Sequence, residues 1–284
     1  MRNIDCKPPD NNNFKLNNGR HKVSICIPVY NNPEGLNKLL ESIVIQDYKD
    51  YEVIVSDDSK NTCKDIVFAY GDYINVKYIK HRSTGMPGDN WNSSVKEATG
   101  EYIKMMFHDD WFTERDSLRK FVGLIEASDA EFAFSGSKQV SSDWHYLRHI
   151  RDDDLRLIEE DISNIYVGNV IGAPSATIFK NNRLLFDIKL RWLIDMDFYL
   201  SFMRGVKFFN KSKVDNLSKN TKICFAHTDE PLVSIGISED QLTNYCIKHP
   251  NVARFEYLYV ARKHGLINNP IYRQYLWSQM IKPH

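Results

Sequence analysis

Short apolar runs alternate with stretches of helical periodicity over the first half of the chain. The apolar runs lie at Lys22–Val29, Tyr51–Ser56, Asn75–Lys80 and Tyr102–Phe107, and polar residues follow each of them, as is typical of buried strands. The first helix is predicted to begin at Pro33, because proline suits the first helical position. Strands that alternate with helices predict an α/β fold with a mostly parallel, Rossmann-like sheet and helices on both faces.

The alternation weakens beyond Ser137. A strand is predicted at Glu131–Ser137, before that point. Beyond it we predict a long irregular loop at Lys138–Asp161, a strand at Pro174–Lys180, and helices at Arg191–Arg204, Arg254–His264 and Tyr272–Ile281. The segment Asn210–Thr228 fits neither period. These features divide the chain into a polar lead-in (1–20), an α/β domain (21–205) and a mainly helical C-terminal extension (206–284).

Charge, cysteine usage and hydropathy exclude several classes of protein. Lys+Arg and Asp+Glu both total 37 among 284 residues, so the chain lacks the basic character that nucleic-acid binding needs. The five cysteines are widely spaced without a C-x-x-C pair, which favours reduced thiols over disulfides or a zinc site. The polar start is unlike a signal peptide, and no apolar run reaches the ~18 residues that span a bilayer. We expect a soluble cytoplasmic protein that does not bind nucleic acid.

Two adjacent acids, Asp109 and Asp110, follow the apolar run Tyr102–Phe107. In an open α/β sheet, ligands bind at the carboxyl ends of the strands, where these side chains are expected to lie. Carboxylate oxygens suit Mg²⁺ and Mn²⁺, and such a metal commonly bridges to phosphate. The pair therefore predicts a divalent-metal site. The alternative is a turn that uses aspartate for local hydrogen bonds.

Further positions suit the binding and reaction of a nucleotide. Asp57 and Asp58 end the second strand, where one carboxylate can accept a hydrogen bond from the imide N–H of uracil and the other can cap the next helix. Tyr30 follows the first strand and can stack on a base, and a half-buried loop residue is the alternative. Asp195 lies in the apolar stretch Leu193–Leu200, which suits a general base with a raised pKa, and a solvated helix position is the alternative.

Two other acidic patterns, Asp152–Asp154 and Asp195-Met196-Asp197, also contain the spacing D-x-D. The first lies in a charged run with no apolar strand before it, so we interpret it as a solvated loop. The second lies in a predicted helix, where residues two apart do not share a face, so Asp195 and Asp197 are not expected to chelate one metal.

Four motifs occur in an order that resembles a known enzyme family. They are P-V-Y-N from Pro28, V-S-D-D-S from Val55, A-x-G-E-Y before the H-D-D of His108–Asp110, and I-D-M-D-F-Y-L from Ile194. Together they resemble the family 2 inverting glycosyltransferases, which have the GT-A fold and use nucleotide-activated sugars. The resemblance extends from Val23 to Arg204.

The resemblance implies a role for each candidate residue. The nucleoside-binding positions are Pro28, Tyr30 and Asp57 or Asp58, the donor-site lining is Arg82, Gly85 and Asn92, the metal and diphosphate positions are Asp109 and Asp110, and the catalytic base is Asp195. The chain departs from the family where Phe107, Trp91 and Ile194 replace an Asp, an Arg and a Glu. Because Asp109 aligns with the last acid of the family's D-x-D, it is favoured over Asp110 as the direct metal ligand.

The implied activity is transfer of a sugar, with inversion, from a UDP-sugar to a hydroxyl of a glycan acceptor, with Mn²⁺ or Mg²⁺ as cofactor, in bacterial O-antigen or capsule synthesis. An acceptor linked to a polyprenyl diphosphate would bring the enzyme to the inner face of the plasma membrane. The basic, aromatic segment Arg254–Lys282 is a candidate for that contact, and a helical cover or a dimer contact is the alternative.

Two other functions compete with this one. A sugar-nucleotide nucleotidyltransferase also uses a parallel sheet and paired acids, but it needs a glycine-rich loop with Arg and Lys that Pro28–Gly35 lacks. An inactive nucleotide-sugar-binding module would use Tyr30 and Asp57 and leave Asp195 without a task.

Overall fold

The computed structural model describes residues 21–211, 225–238, 244, 246 and 248–281. The predicted lead-in (1–20) lies outside the described residues, as do Cys6, Cys224 and most of the unplaced segment Asn210–Thr228. The described cysteines, Cys26, Cys63 and Cys246, are free and buried. No helix within the described ranges is long and apolar enough to cross a membrane.

The elements of the first half follow the predicted alternation. The strands in the described ranges are β1 (Val23–Val29), β2 (Tyr51–Asp57), β3 (Val76–Lys80), β4 (Tyr102–Met105), β5 (Asp110–Phe112), β6 (Phe132–Val140), β7 (His145–Arg148), β8 (Thr177–Lys180) and β9 (Phe225–Gly236). The α-helices there are α1 (Pro33–Val44), α2 (Lys64–Phe68), α3 (Pro87–Lys96), α4 (Ser117–Ala127), α5 (Asp152–Glu160), α6 (Ile194–Lys211), α7 (Pro250–Lys263) and α8 (Pro270–Ile281).

The sheet is parallel at one end and mixed at the other. The strand order is β3-β2-β1-β4-β8-β6-β9-β5, and β7 pairs with β6. The first four strands run parallel, whereas β8 is antiparallel to β4 and β6, and β5 is antiparallel to β9. All seven residues of β1 are buried, as expected for a parallel strand that is covered on both faces. The arrangement confirms the α/β fold class and adds antiparallel strands to its parallel half.

Two apolar cores lie on opposite faces of the sheet, because side chains along a strand alternate between faces. Ile25 and Ile27 of β1 belong to the core that contains α1 and α4, and Cys26 belongs to the core that contains α3 and α6. Tyr257 of α7 and Leu276 of α8 join the second core. The C-terminal helices therefore cover the face on which α6 lies.

The segment Lys138–Asp161 differs from the prediction, since it contains β7 and α5 instead of a long loop. The helix α5 buries only Leu155 and Ile158. Because only two residues of α5 are apolar and buried, its sequence is as polar as that of a loop, and the helix is hard to recognise from sequence.

The strand β9 is the second difference. It lies between β6 and β5, beyond the boundary predicted at residue 205, and therefore extends the same sheet that contains β1. Its first half includes the polar run His227–Glu230, which hides the strand in the sequence. The division of the chain near residue 205 remains a prediction.

Candidate active site

The carboxyl ends of β1, β2 and β4 meet at one edge of the sheet. Val29 pairs with Asp57, and the Asp58 N–H donates to the Val29 carbonyl over 2.9 Å, so β1 and β2 end side by side. The chain that leaves β4 continues beside β1, where Nδ1 of His108 lies 3.2 Å from the Pro28 carbonyl oxygen. The acids that follow the second and fourth strands are therefore neighbours of one site.

Asp57 is fully buried, and its carboxylate is used within the protein. It accepts hydrogen bonds from the N–H groups of Ser59 (2.9 Å) and Cys63 (2.8 Å) and from the hydroxyl of Tyr78 (2.6 Å). Burial opposes ionisation, but these hydrogen bonds outweigh it and hold the pKa of Asp57 below its usual value. Asp57 therefore fixes the turn after β2 and the start of α2.

Asp58 has an unsatisfied carboxylate oxygen. Its Oδ2 accepts a hydrogen bond from the Ser83 hydroxyl (2.9 Å), whereas its buried Oδ1 has no partner among the described residues. Burial raises the pKa of Asp58. A buried acceptor without a donor costs ~1–3 kcal/mol, which a ligand N–H would remove. Tyr30 follows the strand residue that is bonded to Asp58, and 53% of its surface is exposed, so its ring is accessible for stacking.

The peptide that carries Asp109 is packed between two glycines that are distant in sequence. A Cβ atom at Gly35 would collide with the His108 carbonyl oxygen, and one at Gly236 would collide with the Asp109 carbonyl oxygen. Asp109 is half-buried, and within the described part of the chain its carboxylate has neither a hydrogen-bond nor an ion-pair partner. The glycines thus fix the backbone of an acid whose side chain is available.

Asp110, by contrast, is buried at the start of β5, where a loop was predicted. Its carboxylate accepts hydrogen bonds from the Gly236 N–H (3.2 Å) and from Ser175. Burial raises the pKa of Asp110 well above its usual value, and the nearby Asp109 carboxylate adds to that effect. The fully buried ammonium group of Lys104, which donates to the Ser175 carbonyl, offsets part of the rise.

Asp109 and Asp110 are suited to bind a divalent cation that phosphate oxygens also ligate. Within the described ranges, no three or more Asp, Glu, His or Cys side chains converge as a metal site. The protein would therefore supply one or two oxygen ligands, and phosphate and water would supply the others, as is usual for Mg²⁺. Asp109 is better placed than Asp110 for direct ligation, because Asp110 is already engaged by Gly236 and Ser175.

Asp195 lies half-buried in the first turn of α6. Its Oδ2 accepts a hydrogen bond from Nδ2 of Asn169 (2.9 Å), and its Oδ1 accepts one from the Met196 N–H (2.7 Å). Burial raises the pKa of Asp195 to about 6, although these hydrogen bonds act in the opposite direction. A carboxylate with that pKa is ionised at neutral pH and is a stronger base than an exposed aspartate.

One segment, Asn169–Ser175, connects the candidate base to the metal acids. Its first residue holds Asp195, and its last is bonded to Asp110. Arg148 of β7 fixes the segment by donating to the carbonyl oxygens of three consecutive residues that begin at Asn169. Six residue steps span at most ~22 Å when fully extended. The residues that hold Asp195 and Asp110 therefore lie within about 22 Å of each other.

The C-terminal helix α7 positions α6. Buried Glu256 accepts hydrogen bonds of 2.8–2.9 Å from the N–H groups of residues 191–193 and thereby caps the start of α6. On a different side of α6, buried Asp197 contacts Lys263 (2.7 Å) and His264 (2.8 Å). Asp195 and Asp197 thus have separate partners, as expected for residues two apart in a helix.

The other predicted donor-site residues lie on the loop after β3 and on α3. Arg82 and Gly85 are exposed, and the φ of Gly85 is +74°, a conformation that favours glycine. Asn92 has a different task, because its buried amide pairs with both the N–H and the carbonyl of Phe186 (2.8 Å each). Arg191 comes within 4.0 Å of a Cβ placed on Gly85 and helps to line a cavity of about 320 Å³.

Sequence reasoning did not identify four residues that support the site: Asn169, Arg148, Lys104 and Glu256. Lys104 carried a signal, because a lysine is rarely fully buried within an apolar run unless it is paired. Asn169 lies among glycines and a proline that mark a turn. Arg148 and Glu256 carried no local signal, because their partners come from distant elements.

Comparison with known proteins identifies relatives that are glycosyltransferases. An uncharacterised glycosyltransferase of Rickettsia typhi is 28% identical to the chain over 201 residues, which are 67% of the chain and 61% of that protein. The poly(ribitol-phosphate) β-glucosyltransferase of Bacillus spizizenii is 39% identical over 103 residues, 34% of the chain and 16% of that protein. The chain therefore spans 61% or less of the length of these relatives.

Solved structures agree with the fold. TarS 1–349 of Staphylococcus aureus in complex with UDP-GlcNAc has a TM-score of 0.63 and 19% identity, covering 91% of this chain and 71% of that one. The mannosyltransferase PcManGT of Pyrobaculum calidifontis in complex with GDP-Man and Mn²⁺ has a TM-score of 0.58 and 13% identity, covering 92% and 73%. The sequence model of Glycosyl transferase family 2 matches residues 24–209, which include every candidate site residue. The chain therefore belongs to Glycosyl transferase family 2, with a fold of the GT-A type.

Proposed function

We propose that this glycosyltransferase moves a sugar from a UDP-sugar to a hydroxyl of a glycan acceptor, with inversion at the anomeric carbon. The observation that carries the proposal is a pair of carboxylates in different environments near opposite ends of the segment Asn169–Ser175. Asp109 has no hydrogen-bond or ion-pair partner among the described residues, and Asp195 has a pKa of about 6. Relatives named for poly(ribitol-phosphate) glycosylation support a role in bacterial surface polysaccharides such as O-antigen or capsule.

Asp58 and Tyr30 are the proposed readers of the nucleotide base. The unsatisfied Oδ1 of Asp58 suits the imide N–H of uracil, and the exposed ring of Tyr30 suits stacking on the base. The solved neighbours include complexes with UDP, UDP-GlcNAc and GDP-Man, so the preference for uridine rests on these two side chains.

The chemistry is a single displacement. Bound Mn²⁺ or Mg²⁺, held by Asp109 with Asp110 beside it, would supply Lewis-acid stabilisation of the leaving diphosphate. Asp195 accepts the proton of the acceptor hydroxyl as that oxygen attacks the anomeric carbon, a step worth ~10²–10⁴ in rate. Asn169 keeps the Asp195 carboxylate in place during the transfer. Attack on the face opposite the leaving group inverts the anomeric centre through an oxocarbenium-like transition state.

We place the enzyme in the cytoplasm, at the inner face of the plasma membrane when its acceptor is linked to a polyprenyl diphosphate. The helices α7 and α8 expose Phe255, Ile271, Trp277 and Ile281, each by more than half of its surface. Exposed aromatic and aliphatic side chains on a basic segment suit a peripheral membrane contact. The same helices also bury Tyr257 in the second core, so the covering role is compatible with this contact.

Calorimetric titration with nucleotides tests the proposal. We expect UDP to bind more tightly than GDP or ADP, and only in the presence of Mn²⁺ or Mg²⁺. Asp109→Asn should abolish the metal-dependent binding and the transfer without a loss of stability, because this carboxylate has no partner among the residues that the structure describes. Asp72→Asn, a change at an exposed position, is the matched control.

Each other result would contradict a different part of the proposal. Equal affinity for the three nucleotides would mean that Asp58 and Tyr30 do not read the base. Full activity of Asp109→Asn in excess chelator would remove the metal assignment. UDP-sugar binding without turnover on any acceptor would favour an inactive binding module, and diphosphate release from UTP with a sugar phosphate would favour a nucleotidyltransferase.

A further inference from the structure

A pair of exposed aromatic rings lies on the hairpin of β6 and β7. Trp144 and Tyr146 are 48% and 53% exposed, and their rings stack with centroids 5.7 Å apart and an interplanar angle of 19°. The Ser141 N–H donates to the Trp144 carbonyl over 2.9 Å and closes the turn. Two large rings thus form one flat, accessible surface, which we call the aromatic platform. None of the roles assigned above uses it.

The sheet register places the aromatic platform near the metal acids. Tyr146 is paired with Gln139 of β6, Gln139 with Ile235 of β9, and Ile235 with Asp110 of β5. Neighbouring strands lie about 4.8 Å apart, so the backbones of Tyr146 and Asp110 are roughly 14 Å apart across three spacings.

The strand β7 also connects the platform to the candidate base. Tyr146 and Arg148 are alternate residues of β7 and share a face, and Trp144, which directly precedes β7, stacks on Tyr146. Arg148 holds the segment that begins at Asn169, and Asn169 holds Asp195. Two residues along a strand span roughly 7 Å. A chain of sugars that leaves the base along this face would meet Tyr146 first and then Trp144.

Charge around the platform distinguishes among the molecules that could bind it. Between residues 138 and 148 the charged residues of the hairpin are Lys138, Asp143 and Arg148. Arg148 is directed to backbone carbonyls, and Lys138 is paired with Leu147, so it lies on the opposite face of the hairpin from Tyr146. Among its described residues the hairpin therefore offers no cluster of cations to the platform, which disfavours phosphate-rich polymers and anionic lipid. Neutral sugar rings, which have an apolar face, are the ligands that this surface suits.

We propose that Trp144 and Tyr146 form an acceptor subsite that stacks on neutral sugar rings of the glycan, a few sugar units from the point of transfer. The inference rests on the proposed function, since it names the class of acceptor for the same site. It assigns the acceptor to the uncharged glycans and separates it from the ribitol-phosphate polymers for which some relatives are named.

Binding of saccharides to the full chain tests the subsite. The probes are neutral linear hexasaccharides of glucose, galactose, mannose or N-acetylglucosamine, together with poly(ribitol phosphate) and vesicles of anionic phospholipid. We expect a neutral hexasaccharide to bind, and Trp144→Ala and Tyr146→Ala each to weaken that binding about tenfold, the scale of uncovering one aromatic face. Trp144→Phe should restore most of the affinity. Tyr73→Ala, which removes an aromatic ring that is 56% exposed and has no assigned role, is the matched control.

UDP affinity in the presence of Mn²⁺ keeps this inference separate from the proposed function. It should be the same in wild type, Trp144→Ala and Tyr146→Ala, because neither ring is assigned to the donor. Failure of the wild type to bind UDP would overturn the donor proposal. The subsite proposal is overturned if Trp144→Ala does not weaken the binding of any neutral hexasaccharide. It is also overturned if Trp144→Ala weakens only the binding of the vesicles or of poly(ribitol phosphate).

Discussion

Replacement of Asp195 by asparagine should abolish transfer and at the same time make the folded protein more stable. The pKa of Asp195 is raised from 3.8 to about 6 by burial. A shift of roughly two units corresponds to about 3 kcal/mol of unfavourable energy for the ionised form at neutral pH. Asparagine removes the charge but also one of the two hydrogen bonds that the carboxylate accepts, at a cost of about 1 kcal/mol. The net gain should be about 2 kcal/mol at pH 7.5, by combining these two estimates.

The gain should depend on pH. Because the pKa of Asp195 is higher in the folded than in the unfolded chain, the folded protein holds an extra proton between about pH 4 and pH 6. The stability of the wild type therefore falls as the pH rises through this window, and Asp195→Asn lacks that contribution. Denaturant unfolding of both proteins at pH 4.5 and pH 7.5 should show a larger advantage of the variant at pH 7.5. Transfer by the variant should fall by ~10²-fold or more.

Asp197→Asn is the matched control, since it makes the same substitution two residues along α6. Asp197 is buried between Lys263 and His264, so its loss leaves those groups without their partner and should cost ~3–5 kcal/mol. The folded fraction of this variant should keep its transfer activity. A loss of stability in Asp195→Asn at pH 7.5, or a stability difference that does not change with pH, would refute the reasoning. An inactive Asp197→Asn beside an active Asp195→Asn would reassign the base.

Two other predictions concern the partner of Asp195 and the two acids that follow β2. Asn169→Leu removes a hydrogen bond that favours the ionised form of Asp195. The acid limb of the pH–rate profile, expected near pH 6, should therefore move to higher pH by about one unit. An unmoved limb would show that Asn169 does not stabilise the Asp195 carboxylate. Asp57→Asn should mainly reduce stability, by about 2 kcal/mol, whereas Asp58→Asn should mainly weaken UDP binding. Thermal unfolding measures the first effect and calorimetric titration with UDP the second. Weaker UDP binding by Asp57→Asn together with a loss of stability in Asp58→Asn would contradict these assignments.

The predictions made from the sequence succeeded where the signal was local. The first four strands and the helices α1 and α6 follow from apolar periodicity and turn residues, and the ordered motifs identified the family. Prediction failed at α5, whose buried stripe is only Leu155 and Ile158, and at β9, whose first half is polar. In both cases tertiary partners stabilise an element that its own residues indicate only weakly.

What the sequence determined by itself was the position of each acid along the chain, because strands, turns and motifs are read from neighbouring residues. The family resemblance favoured Asp109 over Asp110, but only the tertiary structure shows which carboxylate oxygens are already engaged. Asp57 is engaged by Tyr78 and Asp110 by Gly236, whereas among the described residues Oδ1 of Asp58 and the carboxylate of Asp109 have no hydrogen-bond partner. The physical reason is that desolvation and hydrogen bonding are set by groups brought together from distant parts of the chain, and these contacts determine both the pKa and the accessibility of a carboxylate.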